Sequence, residues 1–136
     1  MSDYTCNCVG MLDIKGQETI RRVYSPGALS PTLTTMAGEN REPKILDTGF
    51  RVRKLTPLEC WRLMGFSDDD FYRAKYGPDV PSDLAKRVEN RDLNKEEWKR
   101  LWRYARHEQM SNSQLYKQAG NSIVVNVLMA IFEGMM

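Results

Sequence analysis

Tyr116-Lys117-Gln118-Ala119-Gly120-Asn121-Ser122-Ile123-Val124-Val125-Asn126-Val127-Leu128 sets a polar head directly against an apolar run. Asn121 or Ser122 can cap a helix, because a short side-chain oxygen accepts a hydrogen bond from the exposed amides of a first turn. Gly120 lets the chain turn sharply just before the cap. A helix over about 122–133 is then apolar on most of its circumference, which predicts burial. Two readings stay open on these residues. One is a plain capped C-terminal helix. The other is a tight polar turn that holds a ligand at the mouth of a buried helix.

Upstream, residues 53–66 read Arg53-Lys54-Leu55-Thr56-Pro57-Leu58-Glu59-Cys60-Trp61-Arg62-Leu63-Met64-Gly65-Phe66. Thr56 is a good N-cap, Pro57 suits the first helical position, and Glu59 stands three residues after the cap. Leu58, Trp61 and Met64 make one apolar face, and Gly65 is a natural stop. This pattern predicts a short capped helix that serves as scaffold.

The chain before it reads as short strands and exposed loops. Strand candidates begin at Met11, run from Arg21 to Tyr24, take in the Thr-rich segment 30–36, and recur at 44–46 and 50–55. Turns are expected at Lys15-Gly16-Gln17, Ser25-Pro26-Gly27 and Gly38-Glu39-Asn40. The segment has few large apolar residues and would struggle to bury a core alone. After Gly65, Ser67 can cap a helix reaching Lys75, and Gly77-Pro78 breaks it. Asn94 with Glu97 caps a second one, with Leu93 and Trp98 placed as a hydrophobic staple. Trp98, Leu101, Trp102 and Ala105 form its apolar stripe.

The 136 residues suffice for one small domain, and a hydrophobic fraction of 41% is ordinary for a globular protein. A net charge of +2 does not announce a nucleic-acid binder. Residues 41–54, however, carry five basic side chains against two acidic ones. Cys6, Cys8 and Cys60 with the lone His107 make no zinc spacing, so no metal is expected. No signal peptide or long apolar run is present, which reads as a soluble protein of a reducing, cytoplasmic compartment, with no membrane partner.

The 116–128 stretch resembles the last motif of the DNA cytosine-5 methyltransferases, and 53–66 resembles their ninth. Arg22-Val23-Tyr24-Ser25-Pro26-Gly27 followed by Pro31-Thr32-Leu33 is similar to the distal half of their target recognition domain. The resemblance implies that Asn121 and Ser122 line a pocket for S-adenosylmethionine. It implies that Arg22, Thr32, Leu33 and Gln17 face double-stranded DNA. An arginine in that position can give two hydrogen bonds to guanine O6 and N7. It makes Arg53, Thr56, Glu59, Gln118 and Gly120 structural motif residues. The family usually has arginine where this chain has Leu58. Cys60 follows Glu59 on the scaffold helix, so it does not match the family's nucleophile, which sits in a Pro-Cys-Gln loop. No Pro-Cys-Gln, Glu-Asn-Val or Phe-x-Gly-x-Gly occurs here.

The resemblance spans roughly residues 9–136 but only the last part of the family's fold. The expected architecture is α+β, a fragment of the methyltransferase α/β fold. Residues 1–52 would hold a partial recognition domain and 53–136 the helical region of the ninth and tenth motifs. The expected function is the C-terminal module or subunit of a bacterial or phage-encoded DNA cytosine-5 methyltransferase, inactive alone. It would work beside a catalytic-half subunit or self-associate, in a restriction-modification or prophage setting. The alternatives are a non-catalytic DNA-binding or interaction module, a truncated-gene remnant, or an excised piece of a longer enzyme.

Overall fold

The computed structural model describes residues 6–35, 41–90, 93–104 and 110–135. Strands come first: β1 (Cys8–Met11), a single helical turn α1 (Glu18–Arg21), then β2 (Arg22–Tyr24), β3 (Lys44–Leu46) and β4 (Val52–Lys54). Helices follow: α2 (Pro57–Leu63), α3 (Asp68–Tyr76), α4 (Ser82–Glu89), α5 (Lys95–Tyr104), α6 (Asn112–Asn121) and α7 (Val125–Met135). The fold is α+β, in the order expected.

The four strands form one sheet in the order β1-β2-β3-β4. β1 and β2 are antiparallel with a bulge between Cys8 and Gly10, β2 and β3 are parallel, and β3 and β4 are antiparallel. A parallel pair cannot be joined by a tight turn. The connection over 25–43 therefore crosses over, and it carries Thr32 and Leu33. The Thr-rich segment, expected as a strand, is irregular over 30–35. Both edges of β2 and both edges of β3 are already paired, so it finds no ladder between them. Met36, the turn expected at Gly38-Glu39-Asn40 and Ala105 lie outside the described residues.

The core is built mostly by the helices. Cys60, Leu101, Leu115 and Ala119 are fully buried, and Trp61, Phe71, Tyr72 and Tyr76 surround them. Trp61 packs its ring at 5.0 Å from Phe66 and edge-on to Phe71 at 5.7 Å. Its indole Nε1 donates to the Leu115 carbonyl at 3.0 Å, so α2 and α6 are joined by a buried hydrogen bond as well as by packing. From the sheet, Val23, Tyr24 and the stem of Lys44 are buried. The Lys44 ammonium donates to the carbonyls of Ile20 (2.8 Å) and Glu42 (3.2 Å). Burial pulls its pKa down, which is the cost of using a lysine as a clip here.

The caps read from sequence are present. Thr56 accepts from the Glu59 amide while Glu59 accepts from the Thr56 amide, and Ser67 and Asp70 do the same for α3. Asn94 and Glu97 exchange the corresponding bonds at the start of α5. Gly65 and Gly77 both have positive φ, as helix stops need. Helices α1 and α4 carry no comparable cap signal, and sequence reading missed them.

Two expectations are overturned near the C-terminus. The chain does not turn at Gly120: α6 continues through it to Asn121, and Ser122 is its C-cap. Leu115 and Ala119 stand four apart and are both fully buried, so packing outweighs the poor helix propensity of Gly120 and Asn121. The next helix starts at Val125, later than the predicted Ser122. Nor is that helix buried: no residue of α7 is, and Phe132 and Met135 are 60% and 77% exposed. Only its start is held. The Val125 amide donates to the Met64 carbonyl at 2.9 Å, just where α2 ends.

Candidate nucleic-acid and cofactor site

Two places gather the residues that the sequence singled out. The first is the junction of α6 and α7. Asn121 is exposed at the end of α6. Ser122 is half-buried, and its hydroxyl donates to the Ala119 carbonyl at 2.8 Å, which leaves the hydroxyl oxygen free to accept. Ile123 follows with 62% of its surface exposed. Gln118 is exposed on the turn before. Gly120 lies directly under the crossover connection: a side-chain carbon there would fall 2.1 Å from the Thr34 carbonyl oxygen. The glycine is needed for close approach of two backbones, not for a turn.

The second place is a recess of about 560 Å³ between α1, the crossover connection and the start of β3. Gln17, Arg22, Thr32, Arg41 and Lys44 line it. Arg22 closes α1 and opens β2, so the backbone there is fixed on both sides. Its Nε and Nη2 both donate to Oε1 of Glu18, at 3.2 and 2.7 Å. That pairing raises the arginine's pKa and lowers the glutamate's. Leu33 is absent from the recess lining and packs against the core instead. Sequence reading missed Glu18, although its spacing of four from Arg22 was visible.

A third feature is the Arg53–Glu59 pair. Arg53 gives Nη1 to Oε2 at 2.9 Å and Nη2 to Oε1 at 2.8 Å. The Thr56 amide and hydroxyl also donate to Oε2. This ties β4 to the first turn of α2. The Arg53 guanidinium, ahead of the Thr56 bonds, holds the Glu59 carboxyl down at about 2, against the opposing effect of burial. A carboxyl depressed in the fold stabilises it above its ordinary value of 4.5 and loses that contribution as the pH falls toward about 2. Glu59→Gln is therefore expected to cost about 1–2 kcal/mol at neutral pH, allowing for the partial solvation of Arg53. It should also flatten the stability curve below pH 4.5. Urea unfolding at a series of pH values checks this, and an unchanged acid slope in the variant would count against the pair.

Cys60 is fully buried, and desolvation pushes its thiol up to about 12. A thiol so placed is not a nucleophile near neutrality. Cys6 and Cys8 are exposed free thiols. Among the described residues no cluster of His, Cys, Asp and Glu is placed to hold a metal, and no helix is long and apolar enough to cross a membrane.

The comparisons bear on these same elements. The family model for C-5 cytosine-specific DNA methylases matches residues 73–136, which include α6 and α7. Over 92% of the chain, the sequence is 34% identical to the orphan methyltransferase M.SPBetaI of Bacillus phage SPbeta. The chain belongs to the C-5 cytosine-specific DNA methylase family. The putative type II methyltransferase M.BsuMIIP of Bacillus subtilis strain 168 matches to the same extent. The type II methyltransferase M2.ScrFI of Lactococcus lactis subsp. cremoris is 32% identical over 64% of the chain. The chain spans about a third of the length of the curated relatives it matches first, with 32% of each covered. The alignments to these two methylases run over 171 positions, more than the 136 residues here. Those methylases therefore carry residues within the matched region that this chain lacks. Methylases of this family act on DNA and use S-adenosylmethionine.

Proposed function

We propose that this chain supplies DNA recognition and one wall of the S-adenosylmethionine pocket to a DNA cytosine-5 methyltransferase, and that it is inactive without a catalytic portion. The observation that carries the reading is the close approach of Gly120, the residue before the Asn121–Ser122 junction, to the backbone at Thr34 in the connection that bears Thr32. One compact unit thus holds candidate residues for both ligands. Residues 1–52 act as the partial recognition domain, and 53–136 complete the catalytic domain.

The residues fit the cofactor's chemistry as a single wall. Asn121 offers an exposed amide, Ser122 an accepting oxygen, and Ile123 an apolar surface for a ring or thioether. When bound, S-adenosylmethionine supplies the methyl group. The Gln17, Arg22 and Thr32 recess takes double-stranded DNA, with Arg41 adding positive charge. The nucleophile comes from elsewhere, because no Pro-Cys-Gln occurs here and Cys60 is buried.

The exposed apolar side of α7 supports a protein partner. Val127, Met129, Ile131 and Phe132 are each at least half exposed. They stand around most of the helix circumference, and exposed apolar surface of this extent marks an interaction surface. The isolated chain is expected to self-associate in a concentration-dependent manner, and Phe132→Lys with Met129→Lys should disperse it. Sedimentation velocity over a hundredfold dilution checks this; a wild-type chain that stays monomeric throughout would remove the argument.

The test of function is tritiated methyl transfer to unmethylated DNA. The chain would be assayed alone and then with the remaining portion of the matched phage SPbeta methyltransferase. Activity only in the mixture supports the reading. Activity from the chain alone overturns the account of the missing nucleophile. DNA binding with no activity in any mixture favours a non-catalytic binding module.

A further inference from the structure

We infer that Glu18 is a positioning residue that aims Arg22 at a base edge and keeps it off the phosphate backbone. The inference rests on the assignment of the recess to DNA and names a determinant of its specificity. A guanidinium has one edge formed by Nε and Nη2 and another formed by Nη1 and Nη2. Glu18 Oε1 takes both donors of the first edge. The second edge, with a hydrogen from Nη1 and one from Nη2, is a parallel fork on the recess side, where the Tyr24 side chain is a further partner of the guanidinium. That fork matches the paired acceptors O6 and N7 of guanine.

An exposed ion pair four residues apart is ordinarily worth little to stability. Its value here lies in what it does to binding. Glu18 sits on α1 and Arg22 at the first position of β2, so the pair bridges a helix-to-strand junction and adds a side-chain tie across it. The two bonds to Oε1 narrow the orientations open to the guanidinium. Glu18 also neutralises Arg22. A phosphate gains less from a neutralised guanidinium, whereas a guanine edge needs only the fork. The remaining exposed positive charge of the recess, from Arg41, is left for the backbone.

The test is selection from a pool of random 30-base-pair duplexes by the full chain, followed by titration of the enriched and a scrambled duplex at several salt concentrations. The wild type is expected to enrich sequences with a fixed guanine. Glu18→Ala should lower the preference for that guanine about tenfold while binding the scrambled duplex more tightly. Its salt slope should steepen by about one, because Arg22 becomes a phosphate contact. Glu18→Gln keeps an accepting oxygen without the charge and should lose less of the preference than Glu18→Ala. Arg22→Ala should lose the preference with no gain on scrambled DNA. Undiminished preference and an unchanged salt slope in Glu18→Ala would overturn the role of Glu18 while leaving DNA recognition intact. No enrichment by the wild type would remove the DNA assignment of the recess, and this role with it.

Discussion

Replacing Trp61 with alanine is expected to cost about 3–5 kcal/mol and to leave little folded chain at room temperature. Three losses coincide at that position. The indole is 7% exposed and contacts Phe66 and Phe71, so its removal opens a cavity among aromatic rings that cannot all close in. Its Nε1 donates to the Leu115 carbonyl, a buried bond between segments 54 residues apart. Removing the donor costs that carbonyl its second partner and leaves it only its helical bond within α6. The third loss is topological. α2 and α6 are held to one another here, and the Tyr116 hydroxyl bond to the Leu55 carbonyl at 2.6 Å is the neighbouring tie. Trp61→Phe separates the contributions. It keeps most of the ring packing and forfeits the hydrogen bond, for an expected loss of about 1–3 kcal/mol. Urea unfolding followed by far-ultraviolet circular dichroism measures both. A loss below about 1 kcal/mol for the alanine variant would mean that the helices are held mainly by other contacts.

The parts of this fold that sequence discloses are those set by neighbours along the chain. Thr56 with Glu59, Ser67 with Asp70 and Asn94 with Glu97 each close a capping box across three residues, so the helix starts were legible. β2, β3 and β4 were legible for the same reason, as short β-rich runs between turn residues. What escaped was decided by contacts distant in sequence. The run from Gln118 to Asn121 looks like a turn because Gly and Asn are poor helix formers, and nothing local reveals that Leu115 and Ala119 are pinned against α2. The apolar run after Ser122 looks like core because hydrophobicity records what a helix needs to cover, not whether the chain contains the cover. Of the site, Arg22, Gln17 and Thr32 converge on one recess although 15 positions separate the first from the last in the chain. Leu33, one residue further on, alternates to the other side and joins the core. The irregular path of 30–35 brings Ser30, Pro31 and Thr32 to the recess together, and that path is not written in the local sequence.

Gly120→Ala is expected to destabilise the chain by about 1–3 kcal/mol, the cost of forcing atoms into a packed contact. Two effects oppose one another at this position, and their signs differ. Within a helix, alanine is favoured over glycine by about 1 kcal/mol, so a helix judged alone would gain. Against this, the new carbon would lie 2.1 Å from the Thr34 oxygen, 2.4 Å from its carbonyl carbon and 2.7 Å from the Thr35 nitrogen. All three are backbone atoms, so no rotamer change relieves the overlap. Either the crossover connection lifts off α6 or α6 shifts against α2, where Leu115 and Ala119 have no room to give. The connection is the softer of the two, and Thr32 moves with it. The variant should therefore lose DNA binding along with stability, although Gly120 lines no part of the recess. Asn121→Ala is the control: it changes an exposed side chain one residue on and should alter stability by less than about 0.5 kcal/mol. Paired urea titrations decide the matter by sign. A stabilised Gly120→Ala would mean that the connection does not rest on the helix. A destabilised one with weakened DNA binding would mean that the recognition surface and the cofactor junction are braced on the same turn of α6.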